Sequence, residues 1–390
     1  MSTGQVTENR SEKIQEFRER VLDVLNEEND SDAYLVKWLI ARNFDVDQAE
    51  EMLRKHIKFM TVNGLDKIGE DFTPPEVTKY FHSAHLGYDK EGSVVRILHI
   101  GGSDLRGLVA SLSKLDSIRY ATYVLRTDVL RQKRERANQP ICDKFVYIID
   151  LEGLSWRAII QRIVIERAMM LLKIYEANYP ENLKIAYIFN SPTFFSFIYN
   201  WLKSFLPESI LTKLDILTPE ECSKLFKTID PSIIPASLGG ARRDPEGDPH
   251  CQTLYHYPLN AEVPESMMLY NQLDVLNNDP TAEKAVVDYR SYFKVEVVIK
   301  EPNSTIQWDF QTLYYDIRMG LSCRKEENSE SEVIIPLHRV DSNLIPESGE
   351  FTCPDPGIYE IIFDNTYSWM TRKELIYKIS VRLPGDNPEN

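Results

Sequence analysis

Asp150 and Glu152 stand just beyond an apolar run, the place where parallel α/β proteins hold acids, bases and ligands. Chemistry there would need a nucleophile, a base and an oxyanion donor converging on one point. The sequence carries no G-x-S-x-G elbow, P-loop or dinucleotide fingerprint. The two carboxylates are therefore expected to cap a helix or bind loop amides, and no catalytic residue is assigned. His82 with His85, and His250 with His256, lie close in sequence but match neither H-E-x-x-H nor a carboxylate-rich ligand pattern, so no metal site is expected. Arg119, Arg126, Arg131, Lys133, Arg134 and Arg136 form a basic run, read as a solvated helix face, with an anionic headgroup patch as the alternative.

The segment TFFSFIYNWLKSFL, Thr193 to Leu206, departs furthest from the rest of the chain. Pro192 and Pro207 bound it, and Lys203 is its only charge. As one helix it would be apolar all round and about 21 Å long, too short for a hydrocarbon core of about 30 Å. Such a helix is buried on both faces or meets something apolar from outside. Two readings follow: a core helix between sheet and cap, or a mobile cover over a lipid-filled cavity.

The elements that would position these residues fall into three groups. Glu12–Leu25, a segment capped by Asp32 and a segment following Asp45 have helical apolar spacing and form a helical cap ending near Gly64. From Pro74 to Gly240, apolar runs at Val94–Ile100, Phe145–Ile149 and Lys184–Phe189 alternate with helices at Leu115–Lys133 and Ile159–Tyr175, the grammar of a mostly parallel sheet. GARRDPEGDPH, Gly240 to His250, marks a boundary. Short strands follow at Tyr292–Ile299, Ile306–Phe310, Tyr314–Leu321, Val333–Leu337, Gly357–Phe363 and Leu375–Val381, with a helix at Glu265–Leu276, predicting an antiparallel sandwich. Trp308 and Trp369 are assigned to its core.

Sixty acidic against forty-five basic side chains give a net charge of −15, which argues against nucleic acid and makes any membrane contact local and transient. The polar N-terminus, the lack of an 18-residue apolar stretch and five scattered cysteines lead to the expectation of a cytoplasmic chain with reduced thiols.

Several ordered motifs resemble the Sec14-like lipid-binding proteins that combine an N-terminal CRAL-TRIO helical extension, a CRAL-TRIO domain and a GOLD domain. They are LVKWLIARNFDVDQAEEMLRKH (Leu35 to His56), GYDKEGSVV (Gly87 to Val95), IIDLEGL (Ile148 to Leu154), YEANYPENLK (Tyr175 to Lys184), IFNSPTFFSFIYNWLKSFL (Ile188 to Leu206), PASLGG (Pro235 to Gly240) and CPDPGIYEIIFDNTYSW (Cys353 to Trp369). The resemblance implies a helical extension over 8–64, an α/β lipid-binding domain over 74–243, a linker over 244–261 and a GOLD-like antiparallel β-sandwich over 262–385. It implies an apolar cavity closed by a gate helix, with Phe194, Phe195, Phe197, Ile198, Trp201, Leu202 and Phe205 at the gate and membrane contact. Glu181 and Lys213 match positions that receive an inositol phosphate in phosphoinositide-exchanging members, and Arg42 matches a family arginine. Asn43 replaces the neighbouring lysine, and Phe145 and Tyr147 replace small hydroxyl residues, trimming the cavity toward a smaller, apolar guest. The implied function is a carrier, without cofactor, that exchanges a phospholipid such as phosphatidylinositol, or an isoprenoid-like guest, with membranes. The alternative is a retinoid- or tocopherol-responsive binding protein that presents its ligand state to a protein partner through the GOLD domain.

Overall fold

Ser31 Oγ accepts from the Tyr34 amide at 3.1 Å and Asp45 Oδ1 from the Gln48 amide at 3.0 Å, satisfying orphan donors where two helices begin. Asp32 is itself the first helical residue, so Ser31 is the cap in its place. The computed structural model describes residues 3–384 apart from 27–28, 70, 138–141, 160, 204–205, 207, 270–272, 327–329 and 344–345. Helices α1 (Thr3–Val21), α2 (Asp32–Ala41) and α3 (Val46–Val62) bury Phe17, Val21, Leu35, Trp38, Leu39 and Leu53 in a core of their own.

The chain divides into two units, Met1–Leu108 with Ile118–Glu262, and Val109–Ser117 with Val263–Asn390. The first contains β1 (Ser83–Tyr88), β2 (Val94–His99), α4 (Leu105–Ser111, which runs into the second unit), α5 (Lys114–Glu135, which starts there), β3 (Phe145–Asp150), α6 (Trp156–Ile159), α7 (Arg162–Asn178), β4 (Leu183–Phe189), α8 (Phe195–Leu202), α9 (Glu208–Leu211) and β5 (Leu214–Ile216). These strands form one sheet in chain order; β1 joins β2 antiparallel and the other pairs are parallel. Apolar β2, β3 and β4 suit the interior of such a sheet. One sheet face is sealed: Val95, Ile97, Val146, Ile148 and Phe189 pack against Leu217, Leu225, Ile229, Ile234 and Leu238.

The segment 244–261, expected as a linker, is tied into this unit. Asp244 Oδ2 accepts from the Thr253 amide at 2.9 Å, Tyr257 stacks on Tyr80 at 4.3 Å between centroids, and the Asn260 amide donates to Gly102 O at 2.8 Å. His82 Nε2 lies 3.1 Å from both Tyr257 O and Pro258 O. Side-chain pins of this kind leave no apolar period in the sequence.

The second unit contains α10 (Leu273–Asn278) and strands β6 (Glu283–Val287), β7 (Tyr292–Ile299), β8 (Ser304–Thr312), β9 (Ile317–Arg324), β10 (Glu332–Val340), β11 (Glu347–Cys353), β12 (Gly357–Asp364) and β13 (Lys373–Arg382). They form two antiparallel sheets, ordered β10-β9-β12-β7 and β11-β8-β13-β6. Ile306, Phe310, Ile361, Phe363 and Leu375 fill the interior. The helix expected over Glu265–Leu276 is a 3-10 turn at Glu265–Met267 followed by α10. Tyr314 and Tyr315 lie outside β9, and Tyr315 takes a positive φ of 65°, a turn conformation. Trp308 is buried, whereas Trp369 is 75% exposed and its assignment to the core is wrong: it follows the end of β12 in a loop. Among the described residues no helix is long and apolar enough to cross a membrane.

Candidate functional site

β3 is the middle strand of five, so each side chain should be fully packed on one face or the other. On the sealed face this holds for Val146, Ile148 and Asp150. On the opposite face Phe145 is buried against Val94 and Leu125, but Tyr147 and Ile149 keep accessible surface, as does Leu98 on β2. Met169, Met170, Leu171, Leu172 and Ile174 of α7 are likewise only half-buried. Burial pushes the Tyr147, Tyr120 and Tyr175 hydroxyls above the usual phenol value. This face of the sheet is therefore less completely packed than the sealed one.

This wall also holds a charge pair that periodicity did not single out. Arg96 grips Asp128 of α5 through Nε and Nη2 at 2.7 and 2.8 Å, both residues are buried, and Arg96 Nη1 donates to Ser83 Oγ at 2.8 Å. Arg96 lies beside Tyr147 in the β2/β3 register. The signal was present as one arginine inside the apolar run VVRIL, because a charge in a central strand requires a partner.

The described cover helix α8 has eight residues, not the fourteen expected of Thr193–Leu206. Phe195 is buried with Leu151, Leu154 and Ile188, and Tyr199 packs against the same cluster. Phe194 precedes the helix and meets Trp156 edge to face at 5.4 Å; Trp156 is 41% exposed. Phe197, Ile198, Trp201 and Leu202 lie on α8, but their side chains fall outside the described residues, as does Phe205 altogether.

Lys144, Glu181 and Lys213 converge at the N-terminal edges of β3, β4 and β5. Glu181 Oε2 is 3.3 Å from Lys213 Nζ and 3.7 Å from Lys144 Nζ, which also donates to Glu181 O at 2.7 Å. Glu181 adopts a positive φ of 59°, a conformation of order 1–3 kcal/mol above the ordinary one for a non-glycine residue. Lys144 was not singled out in the sequence because its role depends on the parallel neighbour strand. Arg42 is elsewhere. It lines a pocket of about 320 Å³ with Glu51, Lys55, His56 and Asn178, and no described contact joins it to Glu181 or Lys213.

Residues 78–240 match the CRAL/TRIO domain family. The worm protein ctg-1 (Caenorhabditis elegans) is 25% identical over 97% of this chain and 98% of its own length. The real-time proteins of Aedes aegypti and Drosophila melanogaster are each 25% identical over 82% of this chain, which spans about half their length (50% and 52%). Among solved structures, that described as Sfh5 aligns with 67% of this chain and 86% of its own at 16% identity and a TM-score of 0.46. Residues 78–240 are a CRAL/TRIO domain. Lipid binding and transfer is the activity of that domain family.

Within the CRAL/TRIO domain the Asp150 carboxylate at the end of β3 holds the loop that follows it. Asp150 Oδ1 accepts from the Glu152 amide and from Asn190 Nδ2, both at 2.9 Å, while Oδ2 lies 3.3 Å from His99 Nε2. His99, Asp150 and Glu152 bring ligand-type atoms within 4.8 Å of one another, with His250 Nδ1 3.6 Å from Glu152. His99 Nδ1, however, accepts from the Gly102 amide at 3.0 Å. Burial disfavours the charged ring, so its one proton sits on Nε2, facing Asp150. His99 Nε2 faces Asp150 Oδ2 without a formed hydrogen bond, while Asp150 Oδ1 and His99 Nδ1 are held by the loop amides.

Proposed function

We propose that the CRAL/TRIO domain shelters one hydrophobic guest between its sheet and helices α5, α7 and α8, and exchanges it with membranes. The observation that carries this reading is the incomplete packing of Tyr147 and Ile149 on the middle strand, against the sealed opposite face. Burying a guest there is favourable by about 25 cal/mol per Å² of apolar area removed from water. The guest would lie along β3. Its polar group would sit toward Lys144 and Lys213, whose two charges exceed the one on Glu181, and its apolar end under α8. Six strand residues span about 20 Å, a length suited to an acyl or isoprenoid chain. The Tyr147 ring narrows this path and favours a slim guest with a single polar end, a phosphate or a hydroxyl.

Exchange would use Phe194 and Trp156 as the first contact with lipid, because together they form an aromatic pair at the start of the cover. No net direction is built in; membrane composition sets it. The second unit is read as a GOLD-like adaptor, and the cytoplasm as the place of work, with membrane contact transient. The test is solvent extraction of the purified chain followed by mass spectrometry. The expected result is one lipid or isoprenoid species near one per chain, delivered to acceptor vesicles; a chain that carries no guest and takes none from vesicles would sink the proposal.

A further inference from the structure

Several side chains at one end of the C-terminal sandwich serve no purpose in its core. Asp364 at the end of β12 lies opposite Tyr292 at the start of β7 and Arg318 of β9, while Lys373 at the start of β13 lies opposite Val287 at the end of β6. Leu375 lies opposite Thr312, the last residue of β8. Loops 288–291, 313–316 and 365–372 therefore close the same end. They expose Met370 (89%), Trp369 (75%), Tyr314 (65%), Tyr315 (58%) and Tyr289 (53%).

The base beneath these side chains is braced. Asn365 is fully buried, and its Nδ2 donates to the carbonyls of Val287, Asp288 and Thr371 at 3.1, 3.0 and 2.9 Å. The Arg290 amide donates to Asn365 O and Ser368 O, each at 3.2 Å, and Tyr367 Oη donates to Asp316 O at 2.9 Å. An exposed tryptophan and methionine on a pinned loop are displayed permanently, and the ordering cost of presenting them has been met in folding.

Charge decides what such a tip fits. Asp316 is paired with Arg339 and Lys373, and Asp364 with Arg318. Arg290 and Arg372 remain exposed, with the Arg290 guanidinium over the Trp369 ring at 4.4 Å. Arg290 and Arg372 thus flank an aromatic tip, with Asp288 as the exposed acid in the same loops, on a chain whose net charge is −15. Indole and phenol rings favour the zone between headgroup and acyl chain, and arginine reaches from there to phosphate. We propose that this end of the sandwich docks on anionic bilayers, Trp369 and Met370 entering the interface and Arg290 and Arg372 meeting lipid phosphates. The contact is separate from α8 and stands whether or not a guest is carried.

Flotation of the full chain with phosphatidylcholine vesicles, with and without phosphatidylserine, tests it. Trp369→Ser with Met370→Ser is expected to lower binding to the phosphatidylserine vesicles by on the order of tenfold, with the unfolding temperature and any extracted guest unchanged. Arg290→Gln with Arg372→Gln is expected to remove the preference for phosphatidylserine. Quenching of parent fluorescence by brominated acyl chains should fall in Trp369→Phe. Equal vesicle binding by parent and Trp369/Met370 variant, or quenching that does not depend on Trp369, would overturn the proposal and leave the tip to a protein partner.

Discussion

His56 donates from Nδ1 to Asn178 Oδ1 at 3.1 Å, because Asn178 Nδ2 is committed to Ile174 O and leaves only the amide oxygen facing the ring. Burial pushes His56 down from 6.5 to about 4, so the fold selects the neutral ring. The unfolded chain then binds the extra proton first, and stability rises with pH across that window. Acidification from about 6.5 toward 4 should cost on the order of 2–3 kcal/mol at this site, and His56→Gln should flatten that part of a stability-against-pH curve from urea unfolding. His82, His85 and His99 are displaced the same way by burial, so a residual slope of the same sign is expected. The Lys144–Glu181–Lys213 cluster gives a second prediction at this scale. Lys213→Met should weaken capture of an acidic-headgroup lipid by several-fold to tenfold, leaving retinol or another neutral guest unaffected, as read by competition for the cavity. Glu181 and Lys213 were named through a family resemblance; their 3.3 Å separation depends on strand neighbours that no local pattern specifies. Trp369 was misplaced for the opposite reason: tryptophan is usually buried, and composition says nothing of a loop that pins it outward.

In α8 two adjacent phenylalanines are expected to behave differently. Phe195 is 9% exposed and shares a cluster with Leu151, Leu154 and Ile188, so Phe195→Ser should cost about 3–5 kcal/mol and lower the unfolding temperature. Phe194 meets the exposed ring of Trp156, so Phe194→Ser should leave unfolding nearly unchanged while slowing vesicle-to-vesicle transfer. Equal transfer by the parent and Phe194→Ser would assign the pair to structure alone. The core reading holds for Phe195 and Tyr199 of α8, and the residue before the helix joins an aromatic pair that reaches solvent. Elements with a clean period were legible, α3 behind Asp45 and the apolar β3 and β4 above all. β1 and β5 were not, since SAHLGY is short and mixed and β5 has three residues held by pairing to β4. The incompletely packed face of β3 was also invisible, because space between elements has no sequence.

At the scale of the chain, composition indicated two bodies, and the structure has two, but the division lies at Glu262/Val263 and Val109–Ser117 groups with the second unit. Lys114 Nζ of that segment is 3.3 Å from Glu347 Oε2 at the start of β11. No local signal separates nine residues from the domain that surrounds them in sequence. The cores themselves are distinct: the first unit packs around β2 to β4, and the second around an aromatic set in which Phe363 contacts Phe310, Phe293 and Tyr377 at 4.9, 6.4 and 6.0 Å between centroids. Phe363 is fully buried, so Phe363→Ala should destabilise the second unit by about 3–5 kcal/mol. None of its partners belongs to the wall around Tyr147, so the guest should be retained. Calorimetry of the full chain is expected to move one transition down by several degrees while the extracted guest stays at the parent's stoichiometry. Loss of the guest together with that transition would mean that the two cores are energetically one, and that the sandwich supports the cavity as well as displaying its own tip.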